Sequence, residues 1–550
     1  MARSTWSRRA VLEGMLAVSA GCVGGRRELP ENGPLGRILG KERLARGHRL
    51  WSPPTAPPTG PPQHVPVLIV GAGVAGLAAA WRLREAGLGE AVHLIELGDR
   101  PGGTATWGEG DRGAFALGAH YLTLPNPENL PVRRLLHALG TITGFAGDGL
   151  GSAPRYDPAQ LCLAPQERLW VGGAWSEGLW PPTASAEDDR QKAAFDAIVE
   201  ELSAAIGNDG RPAFTIPTAL ASRDPRFRQL AGLSFAAWLD AQGLTSPVLR
   251  WWLEYGTRDD YGTLLGDTSA WAGLHYHCAR RPDPHDDRDL GTHVLTWPEG
   301  NGWLVKGLLR LSGVTVHTGQ LLRALEAETG RCLVENAAGE LRELTAEQVV
   351  LAVPAPVRRR LLPETEGPVP TAAPWRVAAL QVSELPTGRG VRTAWDSVVY
   401  GNADLGYISS AHQSGRYGGP TVLTWYEALT GDPRTARQPL VGAGLESEQA
   451  HVLDALAPSH PDLRAVLERL DIWHWGHGTV RPTVGLHAPG VLAPLARPHG
   501  RVVAAHTDLS GMSLFEEALW HGISAAEWVA AQRGRSTVSW LPTGAARPTG

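Results

Sequence analysis

Three glycines carry the first chemistry that can be read from this chain. Gly71-Ala72-Gly73-Val74-Ala75-Gly76 follows an apolar run at 65–70 and leads into helix formers at 77–86, closed by Gly87. In a strand–turn–helix unit each glycine has its own task. Gly71 permits the tight turn, Gly73 lets bare backbone approach a diphosphate, and Gly76 lets helix and strand pack closely. The helix start, with Ala75 in it, offers N–H groups and a positive dipole end to an anion. A second apolar run at 91–97 puts Glu96 twenty positions after Gly76. A carboxylate there accepts hydrogen bonds from ribose hydroxyls, and its charge disfavours a 2′-phosphate. The chemistry indicated is the binding of a dinucleotide.

A second set of candidates is scattered. Arg258-Asp259-Asp260-Tyr261-Gly262 is a compact charged cluster between Tyr255 and a segment at 269–278 that carries His275 and His277. Alternation along a strand would put both imidazoles on one face, spaced for a shared substrate or a metal. Without a third ligand a structural pair is favoured, and no metal site is expected. As strand neighbours Asp259 and Asp260 would point apart, so an Arg258–Asp pair is favoured over a catalytic dyad. Asp260, His275, His277 and His412 remain candidate catalytic groups, with Asp396 beside them. Trp251, Trp252, Trp271 and Trp303 could wall an apolar pocket, although any one of them more simply fills a core.

The positions after Glu96 narrow the ligand. Glu96-Leu97-Gly98-Asp99-Arg100-Pro101-Gly102-Gly103-Thr104 resembles the Glu…Arg-x-Gly-Gly-Arg/Thr extension of FAD enzymes. Phe115-Ala116-Leu117-Gly118-Ala119-His120-Tyr121 resembles the segment that runs beside the flavin in them, without its acidic residue. Trp297-Pro298-Glu299-Gly300-Asn301-Gly302-Trp303-Leu304 is similar to a Pro-x-Gly-Gly helix entry, and Val349-Val350-Leu351-Ala352-Val353-Pro354 to a Val-Val-x-Ala-x-Pro strand. Segment 473–482 resembles the stretch that precedes the last FAD-binding piece, and 501–529 resembles the C-terminal signature. Together these resemble the superfamily of flavin-containing amine oxidases, protoporphyrinogen oxidases and phytoene desaturases, from 65 to about 531. The resemblance implies that Gly102, Gly103 and Arg100 lie along the phosphates, and that Thr104, Gly118, Ala119 and His120 lie near the flavin. It implies that backbone at Leu322 meets the adenine. It also implies a helix at 513–528, capped by Ser510 or Ser513, whose start at Leu514, Phe515 and Glu516 stabilises negative charge at N1/O2 of the reduced flavin. His506 stands where the superfamily usually has Asp or Glu, and Asp508 is its nearest substitute.

These pieces predict an α/β protein, a Rossmann-like FAD-binding domain interleaved with an α+β substrate domain. FAD-binding parts are expected at 65–145, 296–364 and 471–535, and substrate parts at 146–295 and 365–470, with a tail at 536–550. Residues 23–64, rich in Pro-Pro pairs, read as a tether. Ahead of them, Ser7-Arg8-Arg9 before an apolar stretch that Glu13 interrupts resembles a twin-arginine signal at 1–22, and 18–22 resembles a lipoprotein cleavage site that would anchor Cys22. The chain is 43% hydrophobic and 19% charged with net charge −5, which fits a folded protein and gives no basic excess for nucleic acid. The four cysteines show no zinc spacing, and none follows Cys332, so a noncovalent FAD is expected. Lysine occurs only at Lys41, Lys192 and Lys306. None falls at 375–385, where the resemblance would seek the lysine that holds a water near flavin N5, and Lys306 is expected on the surface.

The expected protein is an exported, periplasmic FAD-dependent oxidoreductase that uses the twin-arginine machinery. It would dehydrogenate an organic substrate by hydride transfer to flavin N5 and pass electrons to oxygen or a quinone. Amine oxidation competes with oxidation or desaturation of a bulky apolar substrate, a polyene or porphyrinogen, to which the missing lysine and abundant tryptophan tilt the balance. A non-catalytic FAD-bearing binding protein and an NAD-linked dehydrogenase are the readings from other classes.

Overall fold

A computed structural model describes residues 35–281 and 294–542, apart from Thr55, Thr387, Tyr417 and the side chain of Ser414. The segment read as a twin-arginine signal, with Cys22, lies outside the described residues. The first sheet runs in the order Val316–His317, Val92–Ile95, Gln63–Val70, Leu341–Leu351, Arg331–Glu335, Leu321–Glu326, and Val502–Ala504 also pairs with Leu341–Leu351. Its central members, Gln63–Val70, Val92–Ile95 and the end of Leu341–Leu351, are parallel. That explains their near-continuous apolar character, because helices cover both faces of such a sheet. Helix Val74–Glu85 buries ten consecutive residues, Val74 to Leu83. Its cover is the C-terminal helix Phe515–Gln532, which approaches so closely that a Cβ on Gly522 would lie 2.2 Å from the Ala75 carbonyl oxygen.

The second sheet has eight strands in the order Ile38–Leu39, Leu467–Val480, Ala372–Val382, Thr421–Ala428, Tyr407–Ser409, Asp396–Val399, Glu167–Val171, Ala174–Glu177. Strand Ala372–Val382 is buried on both faces. Ala373, Trp375 and Val377 face a cluster with Tyr426 and Trp475, while Ala378, Leu380 and Val382 pack on Val452 and Leu456 of helix Leu445–Leu456. Helices Ala186–Ala204, Phe235–Ala241, Pro247–Tyr261 and Ala270–Cys278 form a third layer around Phe195, Phe235 and Trp271. Two features differ from the sequence reading. Strand Leu467–Val480 belongs wholly to the second sheet, so the chain returns to the first after Val480 and not at 471. Residues 38–51, read as tether, form a strand and a helix docked on the molecule, and Leu50 is 2% exposed. Among the described residues no helix is long and apolar enough to cross a membrane.

Candidate active site

The glycine turn has the shape its sequence requires. Gly71 has φ +102°, and a Cβ there would stand 2.4 Å from the Ala352 carbonyl oxygen. A Cβ on Gly76 would stand 1.9 Å from the Gly71 oxygen. Gly73 differs, because its φ of −72° suits any residue and the nearest atom to a Cβ would be Gly103 Cα at 3.8 Å. The protein does not need a glycine at 73, so the space its missing side chain leaves is room for something else. Beside it Gly102 donates to the Ala72 oxygen at 2.8 Å and brings Gly103 alongside. The helix start that contains Ala75 has no side-chain cap and no acidic residue in its first turn. This cradle of bare backbone fits a diphosphate.

Glu96 sits just past the end of its strand. Its carboxylate accepts the amides of Ala72 and Gly98, both at 2.8 Å, which fixes its place at the rim of the turn. The backbone at 317–320 clasps the same corner, with Glu96 N–H donating to His317 O at 2.9 Å and Gln320 N–H to Glu96 O at 2.8 Å. Leu322 follows, buried, in the adjoining strand. Arg100 departs from expectation. It is exposed and donates to the Trp107 carbonyl at 2.7 Å, a local tie that turns it to its own loop. Asp508 is also turned inward, accepting the Ala355 amide at 2.6 Å at the start of helix Ala355–Leu361 and lying 3.2 Å from His506 Nδ1.

Beyond Gly103 the chain meets a cavity of about 140 Å³. Thr104 marks the join, since its carbonyl accepts the Ala119 amide at 2.9 Å and a Cβ on Gly118 would stand 2.1 Å from it. Thr104, Gly118, Ala119, His120 and Tyr121 line one side, Trp375, Val377, Tyr426 and Trp475 another, and Leu514, Phe515 and Glu516 an end. Helix Phe515–Gln532 starts there without a side-chain cap. Neither proposed serine caps it: Ser513 accepts the Val480 amide at 2.7 Å and Ser510 donates to Glu517 at 2.6 Å. The Glu516 carboxylate in its first turn takes a bond from Thr123 at 3.2 Å.

Asp259, Asp260 and Arg280 complete the wall. The Tyr121 hydroxyl is 2.9 Å from Asp260 Oδ1 and 3.3 Å from Asp259 Oδ2, and Arg280 pairs with Asp260 Oδ2 at 2.5 Å. One phenol proton can serve only one carboxylate at a time, and the single guanidinium holds Asp260. Burial and then the Asp260 charge push Asp259 up to about 7. His120 donates from Nδ1 to the Gly118 carbonyl at 3.1 Å, and burial lowers it to about 4, so it is neutral at pH 7.

Of the predicted catalytic candidates only Asp260 lies at the cavity. Asp259 and Asp260 are on helix Pro247–Tyr261, not a strand, and successive helical side chains diverge by only ~100°, so both reach Tyr121. Arg258 donates to the carbonyls of Asn402 and Ala403, not to an aspartate. Residues 269–278 are also helical, over Ala270–Cys278, which turns His275 and His277 to different sides. His275 contacts the Thr215 carbonyl at 3.2 Å and Trp271, whereas His277 packs on Phe195 and Trp252. Burial lowers both to about 3. His412 is buried away from the cavity, and Asp396 takes the Tyr255 hydroxyl at 2.9 Å. Trp251, Trp252, Trp271 and Trp303 all miss the cavity; Trp375 and Trp475 line it instead. Lys306 pairs with Glu299 at 3.0 Å and Glu109 at 3.3 Å near the surface. Tyr121 closes a motif already singled out. Nothing local marks Arg280, Trp375 or Tyr426 as site residues. Among the described residues no three metal-ligating side chains come together.

Comparison with known proteins places this architecture. The NAD(P)-binding Rossmann-like domain family matches residues 69–139. Oxidoreductase PigB of Serratia sp. (strain ATCC 39006) is 24% identical over 294 residues, 49% of this chain and 42% of PigB, so the chain spans about two fifths of that relative's length. A redesigned double mutant of putrescine oxidase superposes with TM-score 0.61 at 17% identity, covering 86% of this chain and all (100%) of that one. Cyclohexylamine oxidase from Brevibacterium oxydans IH-35A gives 0.56 at 18%, with coverage of 86% and 100%. An oxidoreductase from Methanosarcina mazei gives 0.54 at 15%, with coverage of 84% and 100%. At these identities the likeness is one of fold: a mixed α/β protein with a Rossmann-like domain and an amine-oxidase-like architecture.

Proposed function

We propose that this chain is a FAD-dependent oxidoreductase that binds FAD without a covalent link and dehydrogenates a small organic amine. The observation that carries the reading is the adjacency of two features. The backbone cradle of Gly71, Gly73 and Gly76 beside Glu96 is flanked by Gly102 and Gly103, and the next residue, Thr104, lines the carboxylate-bearing cavity with Gly118 and Ala119. Gly73, Ala75, Gly102 and Gly103 would hold the diphosphate, Glu96 the ribose, Leu322 the adenine side, and the start of the C-terminal helix the flavin's pyrimidine edge. When bound, FAD supplies a two-electron hydride acceptor at N5.

The chain's own groups supply the rest. Trp375, Tyr426 and Trp475 exclude water and seat an apolar body. Arg280 pairs with Asp260 and leaves Asp259 Oδ2 to take the proton that leaves the substrate, with Tyr121 bridging the two carboxyl groups. This takes the place of the water-holding lysine that the sequence lacks. The carboxyl groups of Asp259, Asp260 and Glu516 put hydrogen-bond acceptors in the wall, which suits an amine better than a polyene or an acidic porphyrinogen. Electrons would pass to oxygen or a quinone. Export by the twin-arginine route to the periplasm, with a lipid anchor at Cys22, belongs to the same proposal and rests on the sequence at 7–22.

The test is an absorption spectrum of purified protein, then anaerobic addition of amines and polyenes. Amines should bleach the flavin band. A colourless protein that FAD does not reconstitute refutes the reading. A yellow protein that no substrate reduces points to the ligand-binding alternative.

A further inference from the structure

Residues 35–52 form an arm that crosses both halves of the molecule. Ile38–Leu39 extends the second sheet in parallel with Ile472 and Trp473, and a Cβ on Gly36 would stand only 1.9 Å from the Leu470 carbonyl oxygen. Helix Lys41–His48 then reaches the first sheet, where Arg46 donates to the Leu97 carbonyl at 2.9 Å. Beyond it Leu50 enters that sheet's core, and Arg49 pairs with Glu335 at 2.7 Å. The helix therefore spans from Leu97 and Gly98, next to the Glu96 carboxylate, to Gly476 and to Trp475, which lines the cavity.

Arg43 stands midway. Its guanidinium carbon is 5.1 Å from the centre of the Trp475 ring, and its Cδ is 3.6 Å from where a Gly98 Cβ would be. It is half-buried, and among the described residues its guanidinium has no hydrogen-bond or ion-pair partner. A partly desolvated cation without an anion is costly to keep unless something else neutralises it. The glycine turn offers a diphosphate only neutral amides and a helix dipole equivalent to roughly half a charge. Arg100, the cation expected beside the phosphates, is exposed and donates to the Trp107 carbonyl. One side of the groove thus has an unmatched positive charge and the other a site for an unmatched negative ligand.

We propose that this arm closes the dinucleotide groove and that Arg43 is a cofactor-binding residue directed at the phosphate–ribose stretch. The proposal rests on the FAD reading above. It makes residues 38–51 a strap whose docking and cofactor retention are linked: each stabilises the other by the same factor.

Two measurements on the full chain test it. The first is the rate at which FAD leaves the protein, followed by the rise of free-flavin fluorescence, in wild type, Arg43→Ala, Arg43→Lys and the exposed control Arg190→Ala. Arg43→Ala should release FAD roughly tenfold or more faster, as expected for loss of a charge-assisted bond. Arg43→Lys should recover much of the difference, and Arg190→Ala should match wild type. The second is hydrogen exchange of amides 41–50 with and without FAD, which should slow on loading. Wild-type release rates in Arg43→Ala, or arm exchange indifferent to FAD, would overturn the strap while leaving the FAD reading intact. A wild-type chain that cannot be loaded with FAD would overturn both.

Discussion

Glu96 and Asp259 are both carboxylates withdrawn from water, and the two halves of the molecule treat them differently. Glu96 lies at the end of a parallel strand and is satisfied by two backbone amides, so its surroundings fix it as an acceptor. Asp259 lies on a helix against a tyrosine and a second aspartate, in a wall with one arginine. Its surroundings leave a proton to be placed. The first half presents backbone in a shape fixed at Gly71 and Gly76. The second presents side chains that can exchange a proton.

The sharpest way to break this comparison lies within the cradle. Gly71→Val should prevent folding, because φ +102° and a carbonyl 2.4 Å from its Cβ leave no accommodation, and soluble yield should collapse. Gly73→Val should fold and melt like wild-type apoprotein yet retain no flavin, as read from the ratio of visible to ultraviolet absorbance. Flavin retention in that variant would misplace the cradle. Next, Asp259→Asn should keep its flavin but be reduced by substrate roughly 10²–10⁴-fold more slowly in stopped flow. In wild type the reduction rate should rise with pH through about 7 as Asp259 ionises, and the variant should lose that rise. Tyr121→Phe removes a bond that favours the ionised form, so the rate should fall about tenfold and its pH midpoint should move up.

The sequence is readable where function depends on local backbone rules. Gly71 and Gly76 announce themselves because no other residue fits those contacts, and Glu96 is found by counting from them. The cavity escaped because the angle between neighbouring side chains depends on the element that carries them. Asp259 and Asp260 part on a strand and converge on a helix. A helical signal was in fact present, in Ser246, which accepts the Leu249 amide at 3.0 Å, followed by Pro247 at the first helical position. Arg280 could not be found this way, since its pairing with Asp260 depends on how the third layer folds back. The arm at 38–51 was hidden by the proline pairs after it, and its few apolar residues, such as Leu50, give no period.

Two smaller effects sharpen the contrast. Burial raises Glu517 to about 7 from an ordinary 4.5, so the folded state holds a proton that the unfolded state has released. Stability conferred by that proton is complete at low pH and is lost as pH rises through about 7, at up to ~1.4 kcal/mol per pH unit. Glu517→Gln should flatten the decline in melting temperature between pH 5 and 8. Smallest of all, Lys306→Met should leave flavin reduction within about twofold of wild type, because an exposed ion pair contributes little. A large loss would restore a lysine to the chemistry.

The contact between Gly522 and Ala75 also bears on how such a protein is made. Helix Gly302–Ser312 and the sheet cover part of helix Val74–Glu85, and the rest of its ten buried residues wait for Phe515–Gln532 to leave the ribosome. Throughout translation of the intervening stretch an apolar face stays open to misassociation, which makes the nascent chain a natural client for chaperones. Truncations anywhere upstream of Phe515 should yield aggregates, not a smaller working domain.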